Sequence, residues 1–300
     1  MWSEAEFRTK ARTYFERAEG STGDDQLIAL LCSLGLEFLL RAPLAAVNPL
    51  LLADPVADDG YSILHAAGYP GTKEPITVKT KAVVSRLVAI VEGFDTIQQD
   101  VQFLIGLRNR EIHTSASVYD TVADHVWLPK FLRTITILAR YFHEESSDYL
   151  TKDFLEHAKN LVDVEDKKIK HDVSTRINKS REFATKLTDT ERSDRLSRVV
   201  DHRFLSGQWE KSIECPACGS SVYIQGFPVR YEKEVYDGDN TITQRVFLVN
   251  RTFGCTVCGL ELVSTAEIAA AGIDQTWSAL VEESLEDRYV AEYQMDYDNE

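Results

Sequence analysis

Four cysteines in two pairs, Cys215-Pro-Ala-Cys218-Gly219 and Cys255-Thr-Val-Cys258-Gly259, have the spacing that brings thiolates onto one metal ion. Two intervening residues let both sulfurs of a pair reach a tetrahedral ion at about 2.3 Å, and the glycine after the second cysteine frees the backbone to turn with positive φ. Four sulfurs close the shell around zinc and leave no position for water. The expected ion therefore stabilises the fold and does no chemistry. A redox role for one Cys-x-x-Cys pair is the competing reading, weakened by the duplication and by the absence of a βαβ context. The fifth cysteine, Cys32, lies in the run Leu-Leu-Cys-Ser-Leu-Gly-Leu and reads as a small buried hydrophobe.

The second group is Arg108-Asn109-Arg110-Glu111-Ile112-His113. Cleavage of RNA by its own 2′-hydroxyl needs a group to accept that proton, a group to protonate the leaving 5′ oxygen, and a cation to stabilise the phosphorane. Histidine titrates near neutrality and serves as base or acid, while arginine offers a fixed cationic fork for phosphate oxygens; no metal is required. At about 100° per residue Arg108 and His113 lie roughly 140° apart on a helix, whereas Asn109 and His113 share a face. One helix alone makes a poor site, so a composite site at a homodimer interface is expected, with Asn109 orienting the His113 ring. Arg110 reads as a surface or substrate-steering charge and Glu111 as a salt-bridge partner. His65, His125, His143, His157, His171 and His202 are scattered without ligand spacing, and structural roles are expected for each.

The Arg-Asn-x-x-x-His pattern in a helix of an all-helical segment resembles the HEPN superfamily over roughly residues 24–145. Glu37, within Leu-Glu-Phe-Leu-Leu-Arg, resembles an acidic position that some members carry. The resemblance implies a metal-independent endoribonuclease with Arg108, Asn109, His113 and Glu37 in its site, RNA as substrate, and 2′,3′-cyclic phosphate and 5′-hydroxyl product ends. It also implies a toxin or antiviral-defence setting, with a regulatory or antitoxin protein as partner. The paired cysteines resemble a zinc ribbon over about fifty residues, although the 36 residues from 219 to 254 make an unusually long insert. Two rival readings stand beside the enzyme. One is a non-catalytic adaptor in which a degenerate bundle dimerises and the ribbon docks a protein; the other is an acidic surface that imitates nucleic acid.

The net charge of −15 in 300 residues is awkward for a nucleic-acid protein, but it is unevenly spread. The balance is −5 over residues 2–145 (14 basic, 19 acidic), +1 over 146–211 (14 and 13) and −11 over 212–300 (5 and 16). A local basic cleft in the amino-terminal part is compatible with these numbers. There is no Gly-rich phosphate loop, no His-Glu-x-x-His and no Gly-x-Ser-x-Gly. The apolar run Leu27–Leu40 falls short of the ~20 residues that span a bilayer, and the first residues lack a signal core. A cytoplasmic protein without membrane contact is expected.

Positioning these groups requires mainly α architecture. Helical spacing predicts helices over 6–19, from the Asp24-Asp25 cap through Leu40 with a stop near Pro43, and over 80–93, 96–113 and 124–142. Residues 48–71 read as an irregular excursion. The main helices, joined by short links, predict an antiparallel bundle over 1–147. A polar helical connector or dimerisation arm is expected over 148–207, and a zinc ribbon over 208–265. Its hairpin would pair Val229–Val235 with Thr241–Val249 through the turn Asp237-Gly238-Asp239-Asn240. An acidic carboxyl-terminal segment, 266–300, would follow, its tail from Glu282 competing with phosphate for Arg108 and Arg110.

Overall fold

Ser3 accepts the Glu6 N–H at 3.2 Å and starts α1 (Glu4–Gly20), whose stripe Ala11, Phe15 and Ala18 is buried. Our computed structural model describes residues 2–286 except 22, 57, 58, 70, 72, 116, 203–208, 237 and 239. The chain divides into two compact units between residues 166 and 167, so the expected connector over 148–207 is shared between them. It is mainly helical, with an antiparallel sheet toward its carboxyl-terminal end.

In the first unit Asp24 caps α2 (Asp25–Val47), accepting the Leu27 N–H at 3.0 Å. The expected stop at Pro43 does not occur. Proline removes one helical hydrogen bond, but Leu44 beyond it is fully buried, and that burial carries the helix on to Val47. At 23 residues α2 is, among the described residues, the one helix long and apolar enough to cross a membrane by length and composition, contrary to the shorter run expected. Of its apolar window 61% is buried inside the protein, and α2 packs on four other helices of the unit. These are α1, α4 (Thr80–Ile90), α5 (Phe94–His113) and α6 (Asp124–Tyr141). Phe15, Leu36, Leu39, Leu87, Leu104, Trp127 and Phe131 are among the side chains of this core.

Gly35 marks where α1 crosses α2. A methyl group there would sit 2.5 Å from a Phe15 ring carbon and 3.1 Å from the Ala11 carbonyl oxygen. Phe15 is held edge-on to Phe131 at 5.5 Å and has no room to swing. Alanine would gain about 1 kcal/mol of helix propensity, but overpacking costs about 1–3 kcal/mol. Gly35→Ala is therefore expected to lower stability by ~1–2 kcal/mol, read as a lower urea midpoint; an unchanged or higher midpoint would show that the helices can part freely.

The excursion after α2 is more ordered than its composition suggests. A 3-10 turn (Pro49–Leu52) and α3 (Tyr61–Ala66) lie within it. Its ends are tied where Val78 donates to Leu52 at 2.9 Å and Asp54 to Ile76 at 3.1 Å. That neck brings residues 77–81, the entry to α4, alongside α2. Gly93, with φ 78°, then turns the chain from α4 into α5.

In α7 (Lys152–Thr185) the narrow apolar seam is used by both units. Leu155 and Ala158 join the first core, whereas Val173 and Ala184 join a second one. Helix α8 (Asp189–His202) adds Leu196 to that second core. Next come β1 (Glu210–Glu214), β2 (Ser221–Tyr231), β3 (Val235–Tyr236) and β4 (Thr241–Asn250), then β5 (Phe253–Gly254) and β6 (Glu261–Leu262). Helix α9 (Thr265–Ala270) and β7 (Thr276–Ser284) follow. The larger sheet runs β1-β2-β4-β3, with β7 along the other side of β4 from Thr241↔Ser284 to Val249↔Thr276.

The second unit departs from expectation in two places. The hairpin strand 229–235 is interrupted: the register shifts between Pro228 and Arg230, where proline supplies no N–H, and residues 232–234 separate β2 from β3. The segment from 266 onward is no simple acidic extension, because α9 and β7 are built from it. Asp237 and Asp239 of the expected turn and residues 287–300 of the expected tail lie outside the described residues, as does the His202 side chain.

Candidate functional site

Six residues of α5, Gln102, Ile105, Gly106, Asn109, Arg110 and His113, recur at three- and four-residue intervals and form one wall of an open cleft of about 950 Å³. The other walls are Glu37 and Arg41 of α2 and the 77–81 segment with Val84 of α4. The lining carries four cations, Arg41, Lys79, Lys81 and Arg110, against one carboxylate, Glu37. In a chain of net charge −15 this is a local reversal of sign. No side chain caps the start of α4, so its first N–H groups add the positive end of a helix dipole to the same wall.

Behind the wall lies a shared ion pair. Glu37 Oε1 accepts the Thr80 hydroxyl at 2.8 Å and meets Arg41 Nη2 at 3.0 Å, while Oε2 accepts from Arg108 Nη2. Arg41 also donates to the Glu37 carbonyl at 2.9 Å. Both arginine side chains are only 10% exposed, so both guanidiniums are largely desolvated. Burial lowers the pKa of Arg41 to about 10 and lowers that of Arg108 as well, and both stay cationic at neutral pH. Among the described residues Glu37 is the one carboxylate paired with either. Two cations on one anion leave an excess positive charge at the back of the cleft.

Of the residues singled out from the sequence, Glu37, Asn109 and His113 line this cleft, and Arg108 contacts Glu37 from its buried side. The angular argument holds at this level, since Asn109 and His113 share the exposed face and Arg108 turns inward. No hydrogen bond joins Asn109 to His113 in the described structure, so the expected orienting contact is not made. Glu111 differs from its expected role. Its carboxylate accepts the backbone N–H groups of Val118 at 2.6 Å and Tyr119 at 3.2 Å, pinning the loop after α5. Tyr119 in turn bonds Ser33 of α2 at 2.6 Å. His113 is the one histidine of the lining, while His65 packs on Trp2 at 5.3 Å and His157 faces Asp124 at 3.5 Å. Cys32 is fully buried, and burial pushes its thiol up, consistent with an inert core residue.

No family model, curated protein or solved structure matches this chain. Its chemistry therefore rests on its own geometry.

The second candidate centre is the cysteine cluster. Each Cys-x-x-Cys lies in the turn of a hairpin, the first between β1 and β2 and the second between β5 and β6. The two turns repeat the same bonds: Cys215 N–H to the Ser220 carbonyl and Gly219 N–H to the Cys215 carbonyl, both at 2.9 Å. In the second turn Cys255 donates to Leu260 at 2.9 Å and Gly259 to Cys255 at 2.7 Å. Gly219 and Gly259 have φ of 68° and 73° with open space around them, so backbone conformation alone requires glycine there. The four sulfurs lie within 4.8 Å of one another, with Cys215 to Cys258 at 3.6 Å and Cys218 to Cys255 at 3.7 Å. Four thiolates around zinc at about 2.3 Å stand about 3.8 Å apart, so the set fits such an ion. Hydrogen bonds from Cys255 and Cys258 pull the Cys215 thiol down, and the same sharing pushes Cys255 and Cys258 up. A divalent cation would displace the shared protons.

Two arginines that sequence reading passed over complete this centre. Arg181 of α7 donates to the carbonyls of Pro216 and Ala217, both at 3.3 Å, and Arg195 of α8 donates to those of Val257 at 3.3 Å and Thr256 at 3.5 Å. Each therefore grips the two residues between a cysteine pair. Their positive charges suit a site whose four thiolates and one dication sum to an anion. Arg41, Lys79 and Lys81 were likewise missed in the cleft. The one signal for Arg41 was a Glu-x-x-x-Arg pair inside an otherwise apolar helix.

Proposed function

We propose that this chain is a metal-independent endoribonuclease of the HEPN type. The first unit would be its HEPN-like bundle, and the cysteine-bearing part of the second unit a zinc ribbon whose zinc, closed in by four thiolates, is structural. The observation that carries this reading is that Asn109 and His113 face a cation-lined cleft with the Arg41–Glu37–Arg108 cluster behind it. In the reaction, the RNA 2′-oxygen attacks the adjacent phosphorus and gives its proton to an imidazole. The phosphorane charge is met by guanidinium groups, and the bond to the 5′ oxygen breaks as that oxygen takes a proton from a second imidazole. One chain supplies one His113, so the second comes from another copy at a homodimer interface. Lys79, Lys81 and Arg110 would hold flanking phosphates. Such an enzyme would act in the cytoplasm, where thiolate ligands stay reduced, as a toxin or antiviral-defence effector under a regulatory or antitoxin partner.

The test is cleavage of a single-stranded RNA by the purified protein in EDTA, with the zinc content read at the end. Expected products end in a 2′,3′-cyclic phosphate and a 5′-hydroxyl; products with 3′-hydroxyl and 5′-phosphate ends would reject this chemistry. A second reading, a non-catalytic adaptor, is favoured by one observation: Arg108 is committed to Glu37 and lies on the buried side of α5. The adaptor predicts no cleavage by any form of the protein.

A further inference from the structure

Between residues 212 and 300 there are five basic residues against 16 acidic ones, yet four of the five, Arg230, Lys233, Arg245 and Arg251, lie on or beside β2 and β4. The fifth, Arg288, is outside the described residues. Two of the four stack on phenylalanine rings. The Arg230 guanidinium carbon is 3.8 Å from the Phe247 ring centre, and that of Arg251 is 5.2 Å from Phe227. The strand register explains the first pairing, since Arg230 is the cross-strand partner of Phe247 and both point to the same face. Arg245, two residues before Phe247, shares that face, half exposed, with Glu232 at 3.8 Å and Ser278 at 3.4 Å. Its partner on β7 is Leu280, 54% exposed.

Shelter for an exposed ring would explain one arginine on one phenylalanine. It does not explain why all four described cations of an acidic region lie on or beside two paired strands. We infer that the β2–β4 face around Phe247 binds single-stranded polynucleotide, with bases stacking on the Arg230–Phe247 and Arg251–Phe227 pairs and Arg245 and Lys233 meeting phosphates. The ligand's chemistry follows from what the face offers: flat cationic and aromatic surfaces for bases of any sequence, and positive charge for the backbone. A duplex presents its bases edge-on and stacked inside, so it fits this face poorly. This inference does not depend on the cleft being catalytic.

The test uses the full-length protein and a fluorescein-labelled 2′-O-methyl oligouridylate of about twelve nucleotides, which cannot be cut by 2′-hydroxyl attack, with anisotropy read over a salt series. Arg230→Gln with Arg245→Gln is expected to weaken binding by at least about tenfold, through the lost stack, and to lower the slope of log affinity against log salt by about 0.7, because the phosphate met by Arg245 is no longer neutralised. Lysine at both positions keeps the charge and loses the planar stack, so an affinity between the two is expected. Both side chains are exposed, and an unchanged thermal midpoint checks that the fold survives. Wild-type protein that fails to bind the strand, glutamine variants that bind as the wild type does, or a duplex of equal length that binds as tightly would each overturn the inference. Loss of this binding with RNA cleavage intact leaves the ribonuclease reading standing. Wild-type protein that binds the strand through these arginines but cuts no RNA counts against the ribonuclease reading alone.

Discussion

His113→Ala is expected to lower RNA cleavage by at least about a hundredfold, the usual contribution of a positioned proton-transfer group. The fold should not change, because His113 is exposed in the last turn of α5 and makes no hydrogen bond in the described structure. Loss of activity in a normally folded protein would then be chemical. Arg108→Ala is less clean. It would remove a buried cation from Glu37 and leave that carboxylate with Arg41 and Thr80 alone, so part of any loss would come from disturbed packing between α2 and α5. The proposed composite site makes a sharper demand: if each reaction uses two imidazoles from two chains, a dimer mixed from His113→Ala and wild-type chains should be nearly as inactive as the pure variant. If the wild type cleaves RNA and His113→Ala cleaves within about twofold of it, the assignment of that chemistry to His113 and this cleft is sunk.

The other large effect is expected at the cysteines. Cys255→Ser removes one of four sulfurs from a set whose separations fit a tetrahedral ion. Structural zinc in small peptides contributes about 10–16 kcal/mol of apparent binding energy at neutral pH, most of it available for folding. The second core is small, and Cys215, Cys255 and Cys258 are themselves buried members of it. It meets α7 and α8 through Val173, Ala184 and Leu196 and through Arg181 and Arg195, which hold the cysteine turns themselves. We therefore expect Cys255→Ser, or removal of zinc by a strong chelator, to open residues after about 167 to protease while the core of the first unit stays resistant. Intact protection with no metal bound would mean that apolar packing suffices and that the cysteines have another purpose. Cobalt substitution offers an independent check, since thiolate-to-cobalt charge-transfer absorption grows with the number of sulfur ligands and should be stronger in the wild type than in Cys255→Ser.

Features carried by neighbours in the chain were legible in the sequence. The cysteine turns are local objects of six residues, and the helical pattern of 94–113 fixes which side chains share a face, so Asn109 and His113 could be set together and Arg108 apart. The cations of the cleft were not legible. Arg41, Lys79 and Arg110 come from three segments that meet only because α2, α4 and α5 pack on one another and the neck at 52–54 and 76–78 delivers the entry to α4. The stop assigned at Pro43 failed because a local penalty was outweighed by burial of Leu44 in a core the sequence does not display. Strand β7 was hidden for a related reason. Its alternation fades into Glu282 and Glu283, and what makes it a strand is β4, whose paired residues lie 27 to 43 positions back in the chain.

That separation has a bearing on biosynthesis. Thr241 of β4 is made 43 residues before Ser284, with which it pairs. At about 5–20 residues per second a nascent chain carries β4 with one flank unsatisfied for roughly 2–9 s, a bare template for a neighbouring polypeptide on the same polysome. Slow translation through 250–276 would lengthen that hazard, and a folding helper acting there would shorten it.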